Sequence, residues 1–375
     1  MKNDERTIYV GLDVDDKAFH GHAYDSSTLL GTEFKCKPSV AALTKALAKI
    51  CKDKEQIKCC YETGHLGFSL QRALTKQEYH CDVVASALIP RQAGKQVKTD
   101  RIDSKKLSYY YLRGDLTVVH VPDEKEEAIR NLIRSRSFMK KQTKSFKQFI
   151  IFLCRGKGLH YRGEGKSKKS YWTKSHMTWL EAQKNLFKND EAFCFNLSML
   201  LDQLHQMNLR LASYEAEIDR TSQLEKYAPS VKALTCYRGL DTLSAMTLIT
   251  EIGDIKRFSH PAKLCSYAGL DIREFSSGGR EVKFGITKIG NRRIRTTVVE
   301  AAQQSWRAPH INKRVKKVRT DSHQPCADIA DRCMHRLYSK SKRLLMRGKE
   351  KNKVTVACAR ELLCFIWESL YAVAA

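Results

Sequence analysis

Four carboxylates point to the chemistry. Asp100 and Asp103 stand three apart in the stretch Thr99-Asp100-Arg101-Ile102-Asp103-Ser104-Lys105-Lys106-Leu107. Thr99 is placed to cap a helix that begins here, and Leu107, Tyr110 and Tyr111 continue its apolar side. An i, i+3 spacing puts both acids on one side of that helix, close enough to share a metal ion. The flanks are basic, with Arg91, Lys95, Lys98, Arg101, Lys105 and Lys106. Acid pairs inside cationic sequence suit metal-assisted phosphate chemistry, since Mg²⁺ takes oxygen ligands and a nucleic-acid backbone takes cations. On its own the pair reads as a solvated helix start. Two further acids change that reading. Asp13 interrupts the end of an apolar run from Thr7 to Val14, and Glu62 ends another from Ile57 to Tyr61. A charge in a central strand is costly unless it is paired or bound to metal. Four such acids suit a two-metal site, with two Mg²⁺ about 4 Å apart serving the attacking and the leaving oxygen.

The elements that must position these acids follow from the hydrophobic pattern. Strands are expected over 7–14, 17–25 and 29–35, joined by short turns into an antiparallel meander. A helix through Ala41, Leu43, Leu47 and Ile50 leads to a strand at 57–61. Gly64 and Gly67 turn into a helix through Leu70, Ala73 and Leu74, and a fifth strand at 81–85 precedes the Asp100/Asp103 helix. Val118 to Val121 is expected to close the region. Three strands followed by alternating helix and strand make an α/β domain with a mixed sheet.

Composition narrows the class of partner. Lys and Arg number 67 against 41 Asp and Glu, a net charge of +26 in 375 residues. An excess of this size implies a polyanion, and nucleic acid first. The length predicts two or three domains. A mean hydropathy of −0.47 argues against a membrane protein. The apolar stretch 354–375 is interrupted by Arg360, Glu361 and Glu368 and reads as a packing helix. The amino-terminal residues lead into a strand with no hydrophobic signal segment, so a cytoplasmic, nucleoid-associated location is expected. Thirteen cysteines without zinc-ligand spacing read as reduced, mostly buried thiols.

Beyond Pro122 the pattern becomes helical. Glu124, Glu126 and Glu127 open a helix that turns basic from Arg130 to Lys147. Residues 155–170 read as an exposed loop. Leu197, Leu200, Leu201, Leu204, Met207, Leu211, Tyr214 and Ile218 repeat at spacings of three and four, which fits a long amphipathic helix or coiled coil. Its apolar side serves either packing against the 124–152 helix or dimerisation. Around Gly239 a helix, a turn and a second helix look like a helix-hairpin-helix, a form that offers backbone N–H groups to phosphate, although this stretch alone favours an ordinary αα-hairpin. Ser276 and Ser277 then stand in a flexible turn before Gly278-Gly279, among Arg280, Lys283, Lys288, Arg292, Arg293 and Arg295. A serine hydroxyl is a poor nucleophile unless activated, and no general base lies nearby in sequence.

Gly11-Leu12-Asp13, Tyr61-Glu62-Thr63-Gly64 and Lys98-Thr99-Asp100-Arg101-Ile102-Asp103 resemble the DEDD motif of RuvC-like domains, in the form found in insertion-sequence transposases related to Piv-type DNA invertases. The second half carries a matching series: Leu264-Cys-Ser-Tyr-Ala-Gly-Leu-Asp, Glu274-Phe-Ser-Ser-Gly-Gly-Arg and Gly285-Ile-Thr-Lys-Ile-Gly-Asn-Arg-Arg-Ile-Arg. These resemble the carboxy-terminal transposase domain of that family, apart from Asp271-Ile272, where the family usually has a proline after Gly-Leu-x.

The resemblance implies three parts: a RuvC/RNase H-like domain over 1–121, a helical or coiled-coil connector over 122–228, and a mainly α transposase domain over 229–375. It implies a DNA recombinase in which Asp13, Glu62, Asp100 and Asp103 bind two Mg²⁺. Ser277, which directly precedes the glycine, would form a covalent phosphoserine link, with Ser276 as the second choice. Lys98, Arg101, Lys105, Arg280, Lys283, Lys288, Arg292, Arg293 and Arg295 would contact nucleic acid. Donor and target DNA, a structured guide RNA encoded by the element, and a homodimer or tetramer are the implied partners, with no membrane. Two alternatives stay open. One is a RuvC-like endonuclease of the junction-resolving type, using water. The other is a non-catalytic nucleic-acid binder.

Overall fold

The computed structural model describes residues 6–90, 100–162, 170–277, 280–320 and 324–374. The chain divides into two compact units, Met1–Pro122 and Asp123–Ala375.

In the first unit, β1 (Ile8–Val14), β2 (Phe19–Asp25) and β3 (Gly31–Cys36) form the meander. Next come α1 (Val40–Ile50), β4 (Ile57–Glu62), α2 (Ser69–Thr75), β5 (His80–Val84) and α3 (Asp100–Leu112). The sheet order is β3-β2-β1-β4-β5, with β1 parallel to β4 and β4 parallel to β5, so the sheet is mixed. Alternation along β1 sorts its two faces. Ile8, Val10 and Leu12 are buried in a core with Leu43 and Leu47 of α1 and Leu70 and Leu74 of α2. Tyr9 faces the other way and packs edge-on against Tyr111 of α3 at 5.4 Å. Ser39 caps α1 by accepting from the Ala42 N–H at 3.3 Å. The expected closing strand at 118–121 is instead one antiparallel bridge, Val84 with Val118. The Val119 N–H still donates to the Val83 carbonyl at 2.7 Å, but Pro122 has no N–H to extend the ladder.

The second unit is mostly helical. It contains α4 (Glu124–Gly156), α5 (Lys174–Leu186), α6 (Glu191–Ser222), α7 (Ala228–Thr235), α8 (Thr242–Ile252) and α9 (Pro261–Tyr267). A two-stranded antiparallel ribbon follows, β6 (Ile272–Ser277) and β7 (Arg280–Ile286). Then come α10 (Arg292–Ala302), α11 (Lys313–Thr320), α12 (Gln324–Met346) and α13 (Lys351–Ala374). The long helices α4 and α6 lie antiparallel: Arg136 pairs with Glu215 near one end, while Ile150 shares a core with Leu197 and Leu201 toward the other. Ile133 and Ile218 enter the large core built by α7 to α10, α12 and α13. The apolar stripe of α6 is thus met within the chain by α4. Gly239, at φ +94°, makes the turn between α7 and α8, where an added Cβ would lie 2.9 Å from the Ala301 carbonyl oxygen. Helix α13 packs on α7, α9, α10 and α12. Among the described residues no helix is long and apolar enough to cross a membrane.

Candidate active site

The acids of the first unit are gathered by a helix lying close on a strand. At Gly11 an added Cβ would fall 2.3 Å from the Ser108 backbone nitrogen and 2.5 Å from the Ser104 carbonyl oxygen. Only a residue without a side chain lets α3 settle so near β1. The helix runs antiparallel to the strand: Tyr111 meets Tyr9, and Ser104 and Ser108 meet Gly11. One further helical turn, about 6 Å, covers the same length as two strand residues. That step carries α3 back to Asp103 and Asp100 and β1 forward to Asp13.

Glu62 joins them by register. Leu12 pairs with Tyr61 in the parallel ladder, so Asp13 and Glu62 follow on adjacent strand ends. Cys60, two residues before Glu62, packs with Leu107 of α3, which puts Glu62 on the α3 face as well. Tyr61 points to the opposite face, where its hydroxyl donates to the Gly67 carbonyl at 2.9 Å and fixes the turn after Glu62. Asp13, Glu62 and Asp103 therefore share one face and one end of the sheet, beside the first turn of α3, where Asp100 begins the helix. The side chains of Asp100 and Arg101 lie outside the described residues, as does all of Lys98. Asp103 is 19% exposed and has Lys106 Nζ at 3.9 Å, while Lys105 is exposed.

Two neighbours escaped the sequence reading. His20 is the antiparallel partner of Asp13, so it stands on the same face. His22, two residues along, is buried and lies 2.9 Å from the Ser108 hydroxyl, tying β2 to α3. The alternation of His20 and His22 in β2 was the available signal, but only the hairpin register sets His20 opposite Asp13. Among the described residues no three His, Cys, Asp or Glu side chains converge closely enough to hold a metal ion. Asp13, Glu62 and Asp103 on this face are carboxylates beside the imidazole of His20, and hard oxygen donors of this kind suit Mg²⁺ rather than a thiophilic metal.

In the second unit the serines are in a strand, not the turn expected from the Gly-Gly sequence. Ser276 pairs with Glu281, and Ser277, the last residue of β6, pairs with Arg280. The alternating pattern on either side of the glycines extends the ladder to the connection. The side chains of Ser276, Ser277, Arg280 and Lys283 lie outside the described residues. Downstream, Lys288 is exposed with φ +58°, and Arg292 and Arg293 are exposed at the start of α10. Arg295 is half-buried and donates to the Ala268 carbonyl at 2.7 Å, which gives it a structural bond beside the base of the ribbon.

A buried acid, Glu251, organises that base. Arg134 of α4 grips it with two hydrogen bonds of 2.7 and 2.8 Å. Asn291 Nδ2 donates to it at 2.8 Å, and Arg293 Nε lies 3.4 Å away. Asn291 also caps α10, accepting from the Arg293 and Ile294 N–H groups at 2.9 and 3.2 Å. Burial raises the Glu251 pKa, but the Arg134 bonds and charge outweigh it and hold the carboxyl below its ordinary value. One carboxylate thus joins α4, the end of α8 and the start of α10. In sequence it looks like any polar position in a helical hairpin, and its arginine lies 117 residues away.

A strongly basic chain with acids at the ends of adjacent parallel strands fits the class of enzymes that act on nucleic-acid phosphodiesters. Residues 10–153 match the DEDD transposase family of IS110, and residues 231–317 match the transposase IS116/IS110/IS902 family. The putative transposase y4qE of Sinorhizobium fredii is 34% identical over 329 residues, 88% of this chain and 79% of that protein. The transposase for insertion sequence element IS1533 of Leptospira borgpetersenii is 28% identical over 356 residues, 92% of this chain and 99% of that protein. The chain belongs to the IS110/IS116 family of transposases, enzymes that cut and rejoin DNA. Its DEDD-type domain suggests a divalent metal.

Proposed function

We propose that this protein is a Piv-related recombinase that excises and inserts an insertion-sequence element through a covalent phosphoserine intermediate. The observation that supports the reading is that Asp13 and Glu62 end adjacent parallel strands on the sheet face over which the Asp100/Asp103 helix lies. Those four acids would hold Mg²⁺, two ions in all, which when bound supply charge stabilisation to the attacking and leaving oxygens of a phosphodiester. The first unit is then a RuvC-like nuclease domain. The antiparallel pair α4 and α6 serves as a coiled-coil connector, and the region from residue 229 as the transposase domain.

Ser277 acts as the nucleophile. Its oxygen bonds to a DNA phosphorus, the bond to the 3′ oxygen breaks, and that oxygen leaves as a 3′-hydroxyl. A 3′-hydroxyl from the second DNA then attacks the phosphoserine and restores the serine. No phosphodiester is lost in the exchange, because the serine ester conserves the bond. Lys98, Arg101, Lys105, Arg280, Lys283, Lys288, Arg292, Arg293 and Arg295 contribute to the positive field that holds the nucleic acid. The net charge of +26 supports a larger polyanionic partner than a short duplex, namely a structured guide RNA from the element that pairs with donor and target DNA. Holding two DNA partners calls for a homodimer or tetramer.

The test is a trapping experiment on full-length protein with Mg²⁺, the RNA flanking the element, and labelled donor and target DNA. Denaturation should leave DNA attached to wild-type protein and to Ser276→Ala, and to neither Ser277→Ala nor Asp13→Ala. Cleavage without an adduct in any variant would replace strand transfer with hydrolysis.

A further inference from the structure

We propose that Cys265 and Cys364 form a reversible dithiol–disulfide site that takes a hydroperoxide as its oxidant. The two thiols come from separate helices, α9 and α13, yet their sulfurs lie 3.7 Å apart. Both converge on one acceptor, the Arg360 carbonyl oxygen, each at 3.4 Å. A bond between them requires the sulfurs to close to about 2.05 Å, a movement within the reach of side-chain rotation. Cys265 is buried, whereas Cys364 keeps part of its surface in solvent, so an oxidant reaches Cys364 first.

The electrostatics give the two thiols different roles. The hydrogen bond between the two sulfurs and the nearby Arg360 charge hold Cys364 below the ordinary thiol value, against the opposing effect of burial. The same hydrogen bond, with burial, pushes Cys265 up. Elsewhere burial raises the thiols of Cys59, Cys81 and Cys154, which read as inert packing groups. Cys364 is therefore the attacking thiolate and Cys265 the resolving thiol.

The steps balance. The Cys364 sulfur attacks the hydroperoxide, an S–O bond forms, the O–O bond breaks, and the leaving oxygen takes a proton to give water or an alcohol. Cys265 then attacks the Cys364 sulfur, an S–S bond forms, and the departing hydroxide takes the Cys265 proton as water. Two thiols lose two electrons and the hydroperoxide gains them. A thiol reductant reverses the change.

The position gives the modification a consequence. Helix α9 leads through Ala268 and Gly269 directly into β6, and Arg360 lies 3.6 Å from Asp271 at the base of the ribbon. A disulfide would fasten that base to α13.

The experiment treats reduced full-length protein with graded hydrogen peroxide, blocks free thiols, and maps peptides by mass. The expected product is a 265–364 crosslink with a loss of two hydrogens, formed in wild type and Cys333→Ser, absent in Cys364→Ser and Cys265→Ser, and reversed by dithiothreitol. In parallel, alkylation of Cys364 in unaltered protein should show a midpoint below the ordinary thiol value. Crosslinks spread over other cysteines, or an alkylation midpoint at the ordinary thiol value, would overturn the assignment. Neither readout depends on transposition, so failure here and failure of the proposed function are separable.

Discussion

Asp13 and Glu62 ride on the two neighbouring parallel strands at the middle of a five-stranded sheet, with a hydrophobic core beneath them and α3 pressed on the face above. Ser277 ends a strand with a single neighbour, in a ribbon where Ile272 and Phe284 are more than half exposed and Ile286, at the base, packs against the core. The two settings suit different tasks. Carboxylates that share metal ions, as proposed for the first region, must keep their oxygens within about 0.5 Å of their places, so their scaffold has to be stiff. A serine that becomes joined to DNA, as proposed for Ser277, must follow its substrate through an exchange. A narrow ribbon rooted at one end by Glu251, Asn291 and Arg295 allows that better than a packed sheet does.

The largest expected effects fall on the groups proposed to react. Asp13→Asn and Ser277→Ala should each lower strand exchange about a thousandfold or more, since several kcal/mol of barrier lowering is lost. Recombination assays on variants with unchanged circular dichroism measure this. An active Ser277→Ala would break the comparison by removing the ribbon from the chemistry.

Next is the stiffness of the acidic face. Gly11→Val should cost about 3 kcal/mol, because the added carbons meet α3 backbone that cannot yield cheaply. Urea unfolding followed by far-ultraviolet dichroism should show an early transition. Tryptophan fluorescence should stay at the wild-type midpoint, because Trp172, Trp179, Trp306 and Trp367 all belong to the second unit. A wild-type dichroism curve would mean that the close approach is not needed.

Glu251→Gln tests the root of the ribbon and should cost about 2–3 kcal/mol, less than a fully buried pair because Arg134 is 39% exposed. The pH dependence has a definite sign. The folded-state pKa of Glu251 is lowered, so its contribution is present above the unfolded-state value and is lost as pH falls through the folded one. Wild type should therefore lose its advantage over Glu251→Gln in that acidic window, and parallel curves would contradict the role. The smallest effect is expected on the ribbon surface. Ile272→Thr should change global stability by less than about 0.5 kcal/mol in the same urea titration, and a larger loss would show that the ribbon is part of the core.

Much of this molecule was legible before any coordinates. The period-two runs of the first unit and the turn at Gly64 and Gly67 before α2 mark local preferences that neighbouring residues settle among themselves. The same holds for the long stripe of α6, with its repeat of three and four. Other features were hidden because their cause is not local. Helix α5 buries His176, Leu180 and Gln183, so its core-facing side is mostly polar, and His176 packs between Trp172 and Trp179. The Gly278-Gly279 pair read as a loose turn, yet the ladder continues on both sides of it. Glu251 and the Cys265/Cys364 pair each depend on partners about a hundred residues away.

The sequence by itself determined which residue types were available: four acids, a serine before two glycines, and a surplus of cations. It also determined the elements that carry them, because strand and helix periodicity follow from short-range burial and backbone geometry. Tertiary structure alone decided which of these residues meet. The parallel register of β1 with β4 sets Asp13 beside Glu62, and the missing side chain at Gly11 brings α3 down to them. The physical reason is that a register and a close packing distance are choices between whole surfaces, whose energies are summed over many residues distant in the chain.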